Sequence, residues 1–456
     1  MNFKTIFSFC AFLIFASACS NKKPKSTNTI DHLNIIFVIA DDLDFDEVNF
    51  YDRENFPSYT NDYLNGRESK YRYTEDSFIM PTLDKLAKEG AVFNRFYTPS
   101  PVCTPSRFVT LTGKYAHQNS SVPDSLNKEA KIAFDVFLEP SVDNIAKSLN
   151  ALGYTTAYFG KYHNGINNGH IYLLGNETPY SLEDYQQRKE NYPRFKAYLQ
   201  DSIGFKVADR LMSENQSMLN KDWIDEGVGK FIDSHASDPF FMYISLPIPH
   251  GYYWPTDRID TRYTSEGEVT EDYDIENDFD DANRQNWFNR SSSLGTWLDG
   301  TLTNLMGKLE EHNLDENTLI IFTSDHQSRG KMTVYESARV PTLFWMPDRI
   351  KPHRIEDLGS FLDLVPTVLS FAGDTNLDQY EGINLEPLLT KQEQIDRDYV
   401  FLECSYFRGV ASKKWKYIEN PTGQIDENFI YDNAKVFPHY KEQIQLYDLS
   451  LDFAEQ

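Results

Sequence analysis

Four short apolar runs, each ending abruptly in polar residues, constrain this chain more than anything else in it. They span 34–40, 155–159, 240–246 and 319–323. Each has strand length, is rich in β-branched and aromatic residues, and is apolar at consecutive positions. That is the pattern of strands buried on both faces. Helical patterns lie between them: 82–89 before Gly90, 143–152 before Gly153, and 297–311. Both glycines are expected as helix C-caps. Strands alternating with helices predict an α/β fold, a large mainly parallel or mixed sheet flanked by helices. The tail differs: 399–404, 409–417 and 443–449 read as strands with few helices between them. They predict a smaller C-terminal antiparallel-sheet subdomain. The expected division is a catalytic α/β domain over 34–395 and the subdomain over 396–456, in a chain long enough to bury a large core. The Tyr-rich segment 49–76 and the acidic stretch 265–281 read as exposed insertions.

Every apolar run leads into chemistry-bearing residues. The first is followed by Asp41-Asp42, the second by Gly160-Lys161-Tyr162-His163, the third by Pro249-His250, and the fourth by Ser324-Asp325-His326. In open α/β sheets ligands bind beyond the carboxyl ends of the strands. Asp41-Asp42 alone would read as a turn or a helix N-cap. Together with Asp325 it makes three carboxylates that would repel one another without a cation. An oxygen-rich set of this kind suits Ca²⁺ or Mg²⁺. His326 either completes the ligands or caps the strand end. For each lysine the alternative is a solvated surface charge, and for each histidine a hydrogen-bonded loop or core residue. The joint spacing singles these residues out.

The cysteines are Cys10, Cys19, Cys103 and Cys404. Lys4, an apolar run over 6–15 and Ala16-Ser17-Ala18-Cys19 predict a lipoprotein-type signal peptide over 1–19, with lipid on Cys19 and a tether over 20–33. The protein is then expected to be exported to the periplasm or the cell surface, touching membrane only through that lipid. Two cysteines remain, so no disulfide framework is expected. Cys404 reads as core. Cys103 opens Cys103-Thr104-Pro105-Ser106-Arg107, and Pro105 suits the first turn of a helix running to Thr112 before Gly113. Cys103 would then sit at a helix N-terminus, where anions are favoured, with Arg107 one turn away. The residues alone leave open a structural thiol or a thiolate nucleophile. The net charge of −25 argues against nucleic-acid binding. A positive cleft for an anionic substrate is compatible with it, because local charge sets local potential.

Cys-x-Pro-Ser-Arg followed by Leu111-Thr112-Gly113-Lys114 resembles the signature of the type I sulfatases, in the alkaline-phosphatase-like superfamily. The resemblance covers nearly the whole mature chain. Asp41-Asp42 and Asp325-His326 match the family's metal pairs. Gly160-Lys161-Tyr162-His163-Asn164-Gly165 is similar to its Gly-Lys-Trp-His-Leu-Gly motif, and His250 matches the histidine after the next strand. Gly330-Lys331, Tyr335-Glu336, Arg339-Val340-Pro341 and Leu446-Tyr447-Asp448-Leu449 match further motifs. The sequence departs from the pattern at Tyr162, Asn164 and Gln327, and it stops soon after Asp452, where relatives commonly continue.

The resemblance implies a sulfuric ester hydrolase with one Ca²⁺ held by Asp41, Asp42, Asp325, His326 and residue 103. It implies that a maturation enzyme reads Cys103-Thr104-Pro105-Ser106-Arg107 and oxidises Cys103 to formylglycine. The aldehyde hydrates to a geminal diol; one hydroxyl attacks sulfur and the other later expels sulfate. Lys161 and Lys331 hold the sulfuryl charge. His250 is the first candidate to protonate the leaving alkoxide, with Lys331 second. His163 orients the diol, Arg107 fixes residue 103 and the metal site, and Lys114 adds support. Phosphodiesterases and phosphonate hydrolases on the same metal site are the nearest alternative, and an inactive lipoprotein binding sulfated glycans is another. Catalysis is favoured because every expected polar role is filled. Loops 49–76, 164–200 and 252–290 are rich in Tyr, Trp and Asn, which suits sugar stacking. The expected partner is a sulfated extracellular polysaccharide or its oligosaccharides: ulvan, fucoidan or carrageenan, with glycosaminoglycans next.

Overall fold

Seven consecutive buried residues make β1 (Asn34–Ala40) a strand with no solvent face, and it lies inside the main sheet. The computed structural model describes residues 33–51, 78–119, 136–164, 182–212, 221–250, 263–264, 266–268, 292–425, 437–452 and 455. The expected signal peptide, the lipidated Cys19, nearly all of the tether and most of both insertions lie outside them. The other strands are β2 (Ala91–Phe93), β3 (Phe96–Tyr97), β4 (Thr155–Lys161), β5 (Val207–Met212), β6 (Phe240–Ser245), β7 (Tyr263–Thr264), β8 (Gly267–Glu268), β9 (Thr318–Ser324), β10 (Thr342–Trp345), β11 (His353–Ile355), β12 (Gly359–Ser360), β13 (Val400–Cys404), β14 (Phe407–Ala411), β15 (Trp415–Glu419) and β16 (Ile444–Asp448).

The main sheet runs β11-β2-β10-β9-β1-β6-β4-β5. From β9 to β5 all neighbours are parallel, while β10 is antiparallel to β9 and β2. The sheet is therefore mixed around a parallel centre. Its register aligns Ala40 with Ser324, Ile39 with Ser245, and Ser245 with Gly160. The carboxyl ends of β1, β9, β6 and β4 are thus level, so the polar residues after each strand meet at one rim.

Helices flank the sheet: α1 (Pro81–Glu89), α2 (Cys103–Thr112), α3 (Ile145–Ala151), α4 (Leu182–Ala197), α5 (Lys221–His235), α6 (Ser292–Glu311), α7 (Leu364–Phe371) and α8 (Glu386–Lys391). The helix expected over 143–152 starts later because Asn144 is its N-cap, its side chain accepting from the Ala146 and Lys147 N–H groups. Gly153 takes the expected left-handed φ of +91°. Gly90 does not cap α1 that way. It is extended, with φ −117°, and a Cβ there would stand 2.5 Å from the Phe344 carbonyl oxygen, so close packing against β10 explains this glycine. No described helix is long and apolar enough to cross a membrane.

The tail forms a four-stranded antiparallel sheet, β13-β14-β15-β16. The single strand expected over 409–417 is two, broken at a tight turn. Ser412 makes that turn: its Oγ accepts from Trp415 N–H at 2.8 Å and its own N–H donates to Trp415 O at 2.8 Å. Cys404 is buried, as expected of core. The apolar layer under this sheet joins Leu402, Phe407 and Ile418 to Tyr97, Val102, Val334 and Tyr335. The subdomain thus packs on the segment entering α2 and on the loop after Lys331.

Candidate active site

Cys103 is the first residue of α2, a helix buried over its whole length. Extended Val102 precedes it, and left-handed Gly113 ends the helix by donating its N–H to Val109 O. The Cys103 Sγ lies 3.3 Å from His326 Nε2 and 3.7 Å from Asp41 Oδ1. Burial would raise the thiol, but Lys161 and Lys331 outweigh it and bring its pKa down to about 5.

Three fully or nearly fully buried carboxylates surround this point, each matched by a cation. Lys161 Nζ donates to Asp41 Oδ2 at 2.6 Å. Arg107 Nη2 donates to Asp325 Oδ2 at 2.9 Å and lies 3.5 Å from Asp41 Oδ1. Lys331 Nζ donates to both oxygens of Asp42, at 2.9 and 3.1 Å, and to His250 Nε2 at 3.1 Å. Burial works against ionised Asp41 and Asp42, yet the cations around them hold both well below the usual carboxylate range. Asp325 behaves oppositely, because burial and neighbouring Asp41 push it up to about 7. Burial would lower His326, but Asp325, Cys103 and Asp42 raise it to about 9. His250 is lowered to about 4, by burial first and by Lys331 against the pull of Asp42.

The donor set fits a divalent cation. One group of ligand atoms within 4.8 Å of one another comes from Asp41, Cys103, Asp325 and His326, and another from Asp41, Asp42, Cys103 and His250. His326 Nδ1 lies 2.9 Å from the Gln327 carbonyl, which only accepts, so Nδ1 carries a hydrogen and Nε2 faces the cluster. A histidine fixed in this way is oriented to ligate through Nε2 once that nitrogen gives up its proton. A cation among Asp41, Asp42 and Asp325 would remove the repulsion that lifts Asp325.

Local backbone chemistry aims these groups. Asp42 has φ +65°, a left-handed conformation that Asp tolerates better than most residues, and its N–H donates to Asp325 Oδ1 at 3.0 Å. Gly160 has φ +89° at a β-bulge, and a Cβ there would lie 1.9 Å from Ser245 O. Only glycine lets β4 press so close to β6 just before Lys161. Ser245 then joins two of the cations: its Oγ accepts from Arg107 Nη1 and donates to Lys161 O at 2.6 Å.

The structure therefore brings together Asp41, Asp42, Cys103, Arg107, Lys161, His250, Asp325, His326 and Lys331. His163 reaches the same rim in a left-handed conformation, half-buried, and its Nδ1 has no partner among the described residues. Burial, then Lys161 and Arg107, hold its pKa well below the ordinary value. Lys114 is half-buried; its backbone N–H bonds Thr112 Oγ1, and among the described residues its ammonium forms no hydrogen bond or ion pair with the site groups. Gln327 and Asn164, where the sequence departs from the family pattern, are structural. Gln327 accepts from Phe45 N–H and donates to Glu336 O and Arg339 O. Asn164 Nδ2 donates to Thr104 O at 2.8 Å and so pins the first turn of α2. Sequence reasoning missed Ser245, and it placed Ser324 at a strand end without giving it a role. Ser324 Oγ accepts from Leu43 N–H and donates to His326 O. The only signal for either was a hydroxyl at the end of an apolar run.

The sulfatase family model matches residues 33–374. The chain belongs to the sulfatase family. It is a sulfuric ester hydrolase, with the fold of that family. This sulfatase is 23% identical to an ulvan-active sulfatase of Formosa agariphila, over 98% of this chain and 82% of the relative. It is 25% identical to an endo-4-O-sulfatase of Bacteroides thetaiotaomicron, over 96% of this chain and 92% of the relative. A solved structure from work on glycosaminoglycan metabolism by Bacteroides thetaiotaomicron superposes with a TM-score of 0.61 at 19% identity, covering 93% of this sulfatase and 95% of that chain.

Proposed function

We propose that this sulfatase removes sulfate from a sulfated polysaccharide or its oligosaccharides, with ulvan the first substrate to test, and that it does so with residue 103 as formylglycine and one Ca²⁺. The observation that carries the reading is Cys103 at a buried helix N-terminus, 3.7 Å from Asp41 Oδ1 and 3.3 Å from His326 Nε2, ringed by three matched carboxylate–cation pairs. Two relatives aligned over nearly the whole chain, named as ulvan-active and endo-4-O sulfatases, support the substrate class.

Asp41, Asp42, Asp325 and His326 would hold the Ca²⁺, together with residue 103. When bound, the ion polarises oxygen and favours the alkoxide form of a coordinated hydroxyl. When oxidised by its maturation enzyme and that enzyme's electron acceptor, residue 103 supplies a hydrated aldehyde whose one hydroxyl attacks sulfur and whose other releases sulfate. The chain's own groups do the rest. Lys161 and Lys331 bring positive charge to the place where a sulfuryl group would sit. The Lys331 ammonium donates to His250 Nε2, so the two hold one proton between them beside Asp42. That pair protonates the leaving sugar alkoxide as the S–O bond breaks. Arg107 favours the ionised forms of Asp41 and Asp325 and fixes both carboxylates, and His163 steadies residue 103.

A lipoprotein-type signal sequence ending at Cys19 would put the enzyme outside the cytoplasm on a lipid anchor, where such polymers are met. A desulfation screen over defined sulfated oligosaccharides from ulvan, fucoidan, carrageenan and glycosaminoglycans tests the substrate. Release of sulfate from ulvan oligosaccharides is the expected result. Turnover confined to phosphate or phosphonate esters would overturn it.

A further inference from the structure

We infer that Asp44 is a positioning residue that joins the two cation-carrying loops into one rigid unit before any cation arrives; the inference rests on the Ca²⁺ site proposed above. Asp44 is not among the grouped ligand atoms. It is nonetheless completely buried, two residues past Asp42. Its carboxylate turns to the opposite loop. Oδ1 accepts from Ser328 N–H at 2.6 Å and Arg329 N–H at 3.3 Å, and Oδ2 accepts from Ser328 Oγ at 2.8 Å. Arg329 Nε stands 3.4 Å from Oδ2, so a buried cation balances the charge.

This contact completes a run in which four successive residues are each bonded to the other loop. Asp42 N–H donates to Asp325 Oδ1, Leu43 N–H to Ser324 Oγ, Asp44 accepts from Ser328 and Arg329, and Phe45 N–H donates to Gln327 Oε1. The first loop carries Asp41 and Asp42; the second carries Asp325, His326 and Lys331. Asp44 is the member of the run that reaches farthest along the second loop, to Ser328 and Arg329, with Ser328 two residues before Gly330 and three before Lys331. A carboxylate accepting two backbone N–H groups and a hydroxyl defines one loop conformation far better than a backbone contact alone. Buried groups that orient metal ligands typically change metal affinity by about 10–100-fold when removed.

The test is calorimetric titration of Ca²⁺ into the full chain, for wild type, Asp44→Ala, Asp44→Asn, Ser328→Ala and the Asp44→Ala/Ser328→Ala double variant, each shown to be folded by circular dichroism. Asp44→Ala is expected to weaken Ca²⁺ binding by about 10–100-fold. Asp44→Asn keeps an oxygen for Ser328 N–H and should restore part of the affinity. The double variant should be weaker by much less than the product of the single effects, because both act through one contact. A general loss of stability would give independent, multiplying effects. If Asp44→Ala does not fold, the comparison of Asp44→Asn with Ser328→Ala decides, and both should bind more weakly than wild type. Equal affinity in wild type and these variants overturns the inference while leaving the Ca²⁺ site intact. No Ca²⁺ binding by the wild type overturns the site itself, and this inference with it.

Discussion

Lys331 and His250 show how one buried carboxylate organises the proton chemistry. Asp42 takes both oxygens' bonds from the Lys331 ammonium and stands 3.5 Å from His250 Nε2. His250 and Lys331 both lie in loops beyond strand ends. Both are in fact buried, at 8% and 5% exposure, so the two substitutions separate. His250→Ala removes no charge partner of Asp42 and should lower turnover by roughly 10²–10⁴-fold with little change in melting temperature. Lys331→Ala should lose as much turnover and also about 3–5 kcal/mol of stability in metal-free protein, because Asp42 is left buried without its cation. Steady-state rates and melting curves for the two variants check this, and wild-type turnover in either would refute the role given to it. At this scale Cys103, Arg107, Lys161 and the aspartates were legible because each sits at a fixed offset from an apolar run or inside a specific motif. Ser245 and Asp44 were not. Their work depends on the register between distant strands, which no local pattern carries.

The helix that presents Cys103 is held from both ends. Asn164 grips its first turn, and beyond Gly113 the chain returns so that His117 meets Glu403 of β13. Glu403 Oε2 lies 2.6 Å from His117 Nδ1, and Oε1 accepts from His117 N–H and Ser100 Oγ. One carboxylate of the tail sheet thus ties down the segment before Cys103 and the turn after its helix. The hydrogen bond to Glu403 raises the His117 pKa. Its charged contribution is therefore fully present below the unfolded value of about 6.5 and fades as pH climbs through the raised folded value. His117 is nearly half exposed, which limits the effect to about 1 kcal/mol or less. Thermal melts should show His117→Gln less stable than wild type at about pH 5.5, with the gap shrinking by about pH 9. A gap that widened with pH would contradict the ion pair. Elements with strong periodicity were legible from sequence almost to the residue, β1 most clearly. The hairpin of β14 and β15 was missed because Ser412-Lys413-Lys414 carries no glycine or proline to mark the turn.

Over the whole molecule, a chain of net charge −25 gathers Arg107, Lys161 and Lys331 at the carboxyl rim of a mixed sheet. Acidic charge elsewhere does not compete with that focus, since the three cations are buried and surface charges are screened by salt. The tail sheet shares its core with the segments on either side of the site, so the subdomain supports the chemistry as well as the fold. The geometry around residue 103 serves two chemistries. A thiol lowered to about 5 would be a competent nucleophile as translated, whereas a formylglycine enzyme must first exchange sulfur for oxygen at the same carbon. Peptide mass spectrometry of residue 103, on preparations made with and without the maturation enzyme and assayed for sulfate release, separates them. The account predicts that activity rises in proportion to the peptide fraction in which sulfur is replaced by oxygen with loss of two hydrogens. Full activity in a preparation carrying only unmodified Cys103 would contradict it.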